Sequence, residues 1–431
     1  MDITELYELF LASKGVNTDT RTLQPGQLFF ALKGENFDGN AYAVKALESG
    51  AAYAVVHEDV PGDDPRLLRF PDTLRTLKEL AACHRQHLDI PVIGLTGTNG
   101  KTTTKELVRE VLSARFRVAS TPGNLNNDIG VPLTVLSIGP DAEIAVVEMG
   151  ANHPDDISAL TWVSRPDYGL ITNVGKAHLL GFGSFEGVKR AKGQLYDWLS
   201  AHDGQAFVNV DDPDLFGMAV ARPLSIIPYG VEGEDVTILP ASSGQPFLRL
   251  EIGGKVLETK LVGAYNAANV MAALTVGRQF GIPLEEGMAA IAAYTPSNNR
   301  SQMTRTGRNV VIEDAYNANP SSMAAALDNF SLLQDACKVA LLGDMRELGD
   351  DSVKEHVKIL EKLDGCGLTH ACLVGEEFRK AVAESGDRPY VKLYATSDDL
   401  AAALAERPLS GAMVLVKGSR GIRMEKVIPT L

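Results

Sequence analysis

The residues with the clearest chemical potential lie in the segment GLTGTNGKTTTKELVREVL, from Gly94 to Leu112. An apolar run from Pro91 to Leu95 predicts a buried strand, and a turn rich in glycine and threonine follows it. Apolar residues then recur at helical spacing, at Leu107, Val108, Val111 and Leu112. A strand, a glycine turn and a helix start form a cradle whose backbone N–H groups attract phosphate oxygens. The segment therefore predicts a nucleoside triphosphate site.

Individual side chains of this loop have distinct expected roles. Lys101 adds a full positive charge beside the phosphates, and the hydroxyl of Thr102 can reach Mg²⁺. The other candidates for nucleotide contacts in the loop are Gly97, Thr98, Asn99, Gly100 and Thr103. A strict Walker A motif would have glycine where this chain has Leu95. The alternative is an ordinary glycine turn with a surface lysine, but the strand–turn–helix context favours the phosphate loop.

Three further residues follow the loop as candidates for metal or charge chemistry. Glu148 ends the apolar segment EIAVVEM, and a carboxylate at the carboxyl end of a parallel strand can bind the Mg²⁺ carried by ATP. His178, in NVGKAHLLGFGS, is balanced between a second metal ligand or electrostatic group and a structural histidine. Lys192 lies in KRAKGQL, where composition alone supports only a solvated helix face.

Bulk properties restrict the class of protein. A chain of 431 residues is too long for one ordinary core, and 45% hydrophobic with 22% charged residues is normal for a soluble globular protein. A net charge of −14 provides no basic surface for nucleic acid or an anionic membrane. The four cysteines form no CxxC pair, the first residues resemble no signal peptide, and no apolar run reaches membrane-spanning length. We expect a cytoplasmic protein without membrane insertion.

Alternating strand and helix patterns predict an α/β protein of three domains. Residues 1–85 form a small mixed domain, 86–299 a central P-loop ATPase-like domain with a parallel sheet, and 300–431 a Rossmann-like domain. In the central domain, residues 225–262 read as an antiparallel edge or hairpin, and Thr295–Met303 reads as a polar linker. The strands of the last domain are expected at VVIEDA, KVALLGD, HACLVG, YVKLYA and AMVLVKG.

Taken together, these segments resemble the Mur ligase family of peptidoglycan synthesis along essentially the whole chain. TGTNGKT, EMGANHPDDI, NVGKAHLLGFGS and AKGQL occur in the family's order. EDAYNANPSSM, LGDMRELG and VKGSRGIRME resemble the branch that adds a D-alanyl-D-alanine dipeptide, and the DYAHTP-like segment of the branch adding the third residue is not found. DTRTLQPGQLFFALKGENFDG is similar to the family's uridine-nucleotide domain.

The resemblance implies an ATP-dependent ligase. A carboxylate of UDP-N-acetylmuramoyl-tripeptide would attack the γ-phosphate of ATP, and the amine of D-alanyl-D-alanine would then attack the acyl phosphate. ADP and phosphate would leave as a peptide bond forms. Such phosphoryl transfer needs alignment and charge neutralisation above all. A monomer is expected.

The resemblance also implies roles for single residues. Lys101 and the loop N–H groups would hold the phosphates, and Thr102 with Glu148 would hold the first Mg²⁺. His178 and a carbamylated Lys192 would hold a second Mg²⁺. The expected nucleotide contacts outside the loop are Asn266 and Asn269 near adenine, Arg300 at the phosphates and Asp314 at the ribose. The alternative for Asn266 is a helix N-cap, and Arg300 alone would be a solvated linker residue.

Substrate contacts are expected at both ends of the chain. Tyr316, Asn317 and Asn319 would line the dipeptide pocket, with turn chemistry before Pro320 as an equally weighted alternative. Thr20 and Arg21 are candidates for the uridine diphosphate end. The rival enzyme is a folylpolyglutamate synthase type, which lacks this form of N-terminal domain. A P-loop switch protein is the rival of another class, and its NKxD guanine motif does not occur in the sequence.

Overall fold

The computed structural model describes residues 1–34, 37–58, 60–61, 63–232, 235–242, 245–297, 300 and 302–431. The N-terminal part is a four-stranded parallel sheet of order β1-β2-β3-β4 with helices against it. Its elements are α1 (Ile3–Ala12), β1 (Val16–Asn17), β2 (Leu28–Phe30), α2 (Ala43–Glu48), β3 (Tyr53–His57), β4 (Leu67–Phe70) and α3 (Thr73–Gln86). Asp2 starts α1 through a capping box with Glu5, which satisfies two orphan N–H groups.

The central part is a six-stranded parallel sheet of order β10-β9-β8-β5-β7-β6. Its elements are β5 (Val92–Thr96), α4 (Lys101–Ser113), β6 (Val118–Ser120), α5 (Gly130–Leu136), β7 (Ile144–Glu148), α6 (Asp156–Ser164), β8 (Tyr168–Ile171), α7 (Leu179–Phe182), α8 (Phe185–Ala201), β9 (Gln205–Asn209), α9 (Pro213–Val220) and β10 (Ser225–Tyr229). Every residue of β5, β7 and β8 is buried except the half-buried Tyr168, so these strands read as continuous apolar runs.

A small antiparallel sheet of order β11-β12-β13 follows. It consists of β11 (Val236–Leu239), β12 (Phe247–Ile252) and β13 (Lys255–Val262), and the helices α10 (Ala267–Gln279) and α11 (Leu284–Ala293) come next. The prediction of one antiparallel unit over 225–262 is therefore wrong for its first strand. Residues 225–229 pair in parallel with β9, because α9 returns the chain to the edge of the central sheet.

The C-terminal part is a six-stranded sheet of order β14-β15-β19-β16-β17-β18. Its elements are β14 (Gln302–Arg305), β15 (Val310–Asp314), α12 (Pro320–Leu332), β16 (Lys338–Gly343), α13 (Ser352–Asp364), β17 (His370–Val374), α14 (Glu376–Ser385), β18 (Val391–Tyr394), α15 (Ser397–Glu406) and β19 (Met413–Lys417). Only β14 runs antiparallel to its neighbour, so the Rossmann-like prediction is confirmed. The predicted linker Thr295–Met303 extends too far, because residues 302 and 303 already pair with β15. Three other residues of this predicted linker lie outside the described part of the chain.

The N-terminal and central parts share one hydrophobic core. Leu6, Leu28 and Leu77 belong to the same buried cluster as Val131 and Leu160, because α3 packs on α5 and α6. The core does not divide at residue 85, and the domain limits at 85 and 299 stay predictions. Among the described residues, no helix combines the length and apolarity needed to cross a bilayer.

Candidate active site

The phosphate loop joins β5 to α4 at the carboxyl edge of the central sheet. Gly97 and Gly100 have φ values of +145° and +76°, which L side chains rarely adopt. A Cβ on Gly97 would lie 2.0 Å from the Thr172 Oγ1 atom, so this position also requires the missing side chain. The loop is held from the end of β8, where the Asn173 carbonyl accepts from the Thr98 N–H at 3.0 Å. The predicted strand–turn–helix context is therefore present.

Lys101 lies over its own loop. Its Nζ atom donates to the carbonyls of Gly97 at 2.8 Å and Thr98 at 3.1 Å. Burial lowers the pKa of Lys101 to about 8, with a smaller lowering from Arg300 and an opposing effect of Glu148. The ammonium group is thus preorganised next to the space that the loop glycines leave open.

Glu148 is a buried carboxylate at the carboxyl end of β7, 1% exposed. Its Oε1 atom accepts from the Thr102 hydroxyl at 3.2 Å and from the Asn126 Nδ2 atom at 2.7 Å. Its Oε2 atom is buried, and no described residue forms a hydrogen bond with it. A buried carboxylate with an unsatisfied oxygen beside a hydroxyl fits a divalent cation, which supplies the missing interaction. The surface alternative for Glu148 is wrong.

Sequence reasoning missed Asn126. It lies after β6 in the segment GNLNND, whose density of asparagines was the only signal. The described residues contain no group of three or more His, Cys, Asp or Glu side chains arranged to hold a metal. A Mg²⁺ ion here would be bound by one or two protein oxygens, phosphate and water, as is usual for nucleotide-bound magnesium.

His178 and Lys192 come to the same region from two elements. His178 precedes α7, lines the cavity described below, and contacts the Glu347 carboxylate through its Nδ1 atom. Burial is the largest cause of the lowered pKa of His178; the Glu347 carboxylate opposes it, and the charges of Lys101 and Lys192 add smaller lowering effects. Lys192 is 3% exposed, and within the described part of the chain its Nζ atom has no hydrogen bond or ion pair.

The helix-face alternative is wrong for Lys192. Burial lowers the pKa of Lys192 well below its ordinary range, and the nearby positive charge of Lys101 lowers it further. Arg190 of the same run is exposed, as the solvated-face interpretation expected. The apolar residues Val188, Leu195 and Leu199 are spaced so that position 192 shares their buried face.

A cavity of about 350 Å³ opens between the central and C-terminal parts. Its lining includes most of the residues that the sequence singled out: Thr98, Asn99, Gly100, Lys101, Thr103, Glu148, His178, Asn266, Asn269, Arg300, Asp314, Tyr316, Asn317 and Asn319. Thr102 reaches it through Glu148. The charges of the lining are mixed, with cations beside the phosphate loop and carboxylates on either side.

Asparagine side chains in this cavity form hydrogen bonds with one another. Asn266 Oδ1 accepts from Asn269 Nδ2 at 2.9 Å. Asn266 stands at the N-cap position of α10, as the alternative expected, but its side chain makes no capping hydrogen bond to that helix. Asn319 caps α12 by accepting from the Ser322 N–H at 2.9 Å. Its Nδ2 atom donates to Asn99 Oδ1 at 2.8 Å, which ties the C-terminal part to the phosphate loop. Asn319 is therefore a helix N-cap rather than a turn residue, and it also lines the cavity.

Two guanidinium groups stack on Tyr316. The central carbon of Arg300 lies 3.8 Å from the ring centre, and that of Arg420 lies 4.9 Å from it. The Arg300 Nε atom is buried and finds no hydrogen-bond partner among the described residues, so Arg300 is not a solvated linker residue. Arg420 was missed by sequence reasoning, although the basic segment VKGSRGIRME contained it. Asp314 pairs with the buried Lys417.

Thr20 and Arg21 are not brought to this cavity. They lie between β1 and β2, where Arg21 pairs with Asp19 at 2.6 Å and its side chain is 87% exposed. Their role at a uridine diphosphate stays a prediction.

Comparison with known proteins identifies the family. Three family models cover most of the chain: "Mur ligase family, catalytic domain" over residues 13–84, "Mur ligase middle domain" over 95–277, and "Mur ligase, glutamate ligase domain" over 299–420. The chain is 34% identical to the UDP-N-acetylmuramoyl-tripeptide--D-alanyl-D-alanine ligase of Bacillus subtilis, over 97% of this chain and 93% of that protein. The chain belongs to the Mur ligase family.

Two further Mur ligases show how far the similarity extends. The enzyme of the same name from Escherichia coli is 35% identical over 99% of this chain and 95% of its own length. The crystal structure of MurF ligase from Thermotoga maritima in complex with ADP superposes with a TM-score of 0.85 at 27% identity, covering 98% of this chain and 97% of that one. The three-part α/β architecture of the Mur ligases is therefore that of this chain.

Proposed function

We propose that this protein is an ATP-dependent ligase that joins D-alanyl-D-alanine to UDP-N-acetylmuramoyl-tripeptide, with ADP and phosphate as by-products. The observation that carries the proposal is the cavity between the phosphate loop and the C-terminal part. Its C-terminal wall is built by EDAYNANPSSM, the segment typical of the dipeptide-adding branch. The full-length relatives carry that activity in their names.

The residues around the loop neutralise charge. The Lys101 ammonium and the Arg300 guanidinium both line the cavity, one from the phosphate loop and one from residues 300–431, so a bound triphosphate would meet positive charge from both parts. The carboxylate of the tripeptide attacks the γ-phosphate, ADP leaves and an acyl phosphate forms. The dipeptide amine then attacks the acyl carbonyl, loses a proton and displaces phosphate as the peptide bond forms. Asn99 and Asn319 keep the C-terminal part against the loop during these steps.

Glu148 and Thr102 would hold the Mg²⁺ that accompanies ATP. Bound there, the ion would neutralise part of the phosphate charge. His178 and Lys192 are the proposed ligands of a second ion, and Lys192 would serve as its carbamate. Reaction with CO₂ requires the neutral amine, and the lowered pKa of the buried Lys192 favours that form. The carbamate would carry the oxygen atoms that Mg²⁺ prefers.

Different parts of the chain would bind the different substrates. The dipeptide would bind beside Tyr316 and Asn317 in residues 300–431. The uridine diphosphate would bind to residues 1–85, with Thr20 and Arg21 as candidates, and Asn266 and Asn269 would lie at the adenine. Asp314 would face the ribose, although Lys417 already pairs with it. A monomer acting in the cytoplasm stays part of this proposal.

Phosphate release by the purified protein tests the assignment. The complete mixture contains Mg²⁺, ATP, UDP-N-acetylmuramoyl-tripeptide and D-alanyl-D-alanine, and each component is omitted in turn. We expect release only when all are present. Ligation of a free diamino acid to a UDP-dipeptide would assign the chain to another branch, and glutamate addition to a folate would favour the folylpolyglutamate synthase type.

A further inference from the structure

Glu347 is a carboxylate of the C-terminal part that does not belong to the proposed nucleotide, metal or substrate contacts. It lies in the segment LGDMRELG, between β16 and α13. Its side chain is 56% exposed, yet it reaches across to the central part and contacts the Nδ1 atom of His178. The Glu347 carbonyl also accepts from the Leu180 N–H at 3.5 Å, so both backbone and side chain meet the start of α7.

The backbone on both sides of this contact is held in an unusual conformation. His178 has a φ of +51° and Glu347 a φ of +66°, the left-handed region that non-glycine residues seldom occupy. Such conformations persist where surrounding structure enforces them, and they cluster at functional sites. The two residues are 169 positions apart in sequence, so the contact is purely tertiary.

The loop that carries Glu347 is anchored from within the C-terminal part. The Met345 N–H donates to the buried His356 Nε2 atom at 3.0 Å, and the Arg346 N–H donates to the Ser419 hydroxyl at 2.9 Å. Met345 and Leu348 are buried on either side. Glu347 is therefore the polar tip of a fixed loop, aimed at one histidine.

The chemistry of the pair decides which nitrogen of His178 is left over. An ionised carboxylate only accepts hydrogen bonds, so the Nδ1 atom in contact with it carries the proton. The neutral ring then keeps its lone pair on Nε2, on a side chain that lines the cavity with Lys101 and Glu148. Metal-binding histidines typically donate their second N–H to a carboxylate in this way, which fixes the ring and raises its basicity.

We propose that Glu347 is a positioning residue that holds His178 as the Nδ1–H tautomer, so that Nε2 is presented to the second Mg²⁺ only when the C-terminal part lies against the central part. This inference rests on the proposed function. Contact between the two parts would then have a direct chemical consequence, because Glu347, which orients the histidine ligand, belongs to the same C-terminal part that would bind the dipeptide.

The tautomer of His178 is measurable without turnover. In the ¹⁵N-histidine-labelled full chain, two-bond ¹⁵N–¹H correlations distinguish Nδ1–H from Nε2–H rings, and His178→Gln identifies the signal among eight histidines. We expect an Nδ1–H ring in the wild type and loss of that pattern in Glu347→Ala. Lys176→Ala is the matched control, because Lys176 also reaches the C-terminal part, through Glu355 at 3.4 Å, without touching His178.

Metal affinity provides the second readout. Titration of Mn²⁺ into protein saturated with a non-hydrolysable ATP analogue, followed by electron paramagnetic resonance, should show the weaker site losing about 10- to 100-fold in affinity in Glu347→Ala. Glu347→Gln, which keeps a hydrogen-bond acceptor, should lose less. Circular dichroism establishes that each variant is folded.

An Nε2–H ring in the wild type, or an unchanged tautomer and Mn²⁺ affinity in Glu347→Ala, would overturn the inference. If these appear while phosphate release still depends on D-alanyl-D-alanine, only the role of Glu347 fails. If phosphate release never depends on the dipeptide while the tautomer follows Glu347, the proposed function fails and the histidine–carboxylate contact stands.

Discussion

Removal of the Lys101 ammonium should slow turnover strongly while leaving the fold nearly intact. In the structure Lys101 makes two hydrogen bonds to loop carbonyls, at 2.8 and 3.1 Å. Bonds from a charged donor contribute about 1.5–3 kcal/mol each. Burial has the opposite effect: it lowers the pKa of Lys101 from 10.5 to about 8. At about 1.4 kcal/mol per pKa unit, burying the charge lowers the free energy of unfolding by about 3 kcal/mol.

The two contributions largely offset each other in the free protein. We therefore expect the free energy of unfolding of Lys101→Ala to stay within about 3 kcal/mol of the wild type. In the transition state the ammonium is opposed by phosphate charge, and loss of such a contact costs about 3–4 kcal/mol, or about 10²- to 10³-fold in kcat.

The assay is phosphate release at saturating substrates, together with chemical denaturation of each variant. Lys101→Met serves as the matched variant, because it keeps most of the apolar stem and removes only the charge. Both variants should lose the same activity. Turnover that is unaltered in a normally stable Lys101→Ala protein would refute the role of the loop lysine in phosphate binding.

Three more predictions concern other residues. Lys192→Ala should be nearly inactive, and a short carboxylic acid should partly restore its activity. Lys192→Arg should stay inactive because a guanidinium remains protonated and forms no carbamate. A fully active Lys192→Arg protein would exclude the carbamate. Burial lowers the pKa of His84, which bonds the Ile138 carbonyl at 3.0 Å. As the pH falls, His84 is therefore protonated in the unfolded chain before it is protonated in the folded one. Stability should fall below about pH 6.5, until the pH reaches the pKa of His84 in the folded protein, and it should fall less in His84→Gln. Equal melting-temperature profiles of the two proteins at about pH 5–8 would contradict this. Gly97→Ala should weaken ADP binding measured by calorimetry, because its Cβ atom would collide with Thr172. Gly183→Ala is the control: its Cβ atom meets open space, so only the left-handed backbone should lower its stability, by about 1–2 kcal/mol. Equal ADP affinities of the two variants would refute the steric argument.

Much of this protein was determined by its sequence alone. The phosphate loop, the strands that flank it and the Rossmann-like alternation after Val310 are local patterns, because a buried parallel strand and a helix each impose their own apolar period on a few consecutive residues. The resemblance to Mur ligases rests on such contiguous segments, and it singled out Lys101, Glu148, Asn266, Asn269, Asn317 and Asn319, all of which line the cavity.

Only the tertiary structure decided what those residues touch. Composition around Lys192 suggests a solvated face, and burial of that face follows from the packing of α8. Asn126 on Glu148, Asn319 on Asn99 and Glu347 on His178 join residues far apart in the chain, and no local period encodes such pairs. The same reason explains the parallel pairing of residues 225–229 and the core shared across residue 85, since both depend on where the chain returns in space.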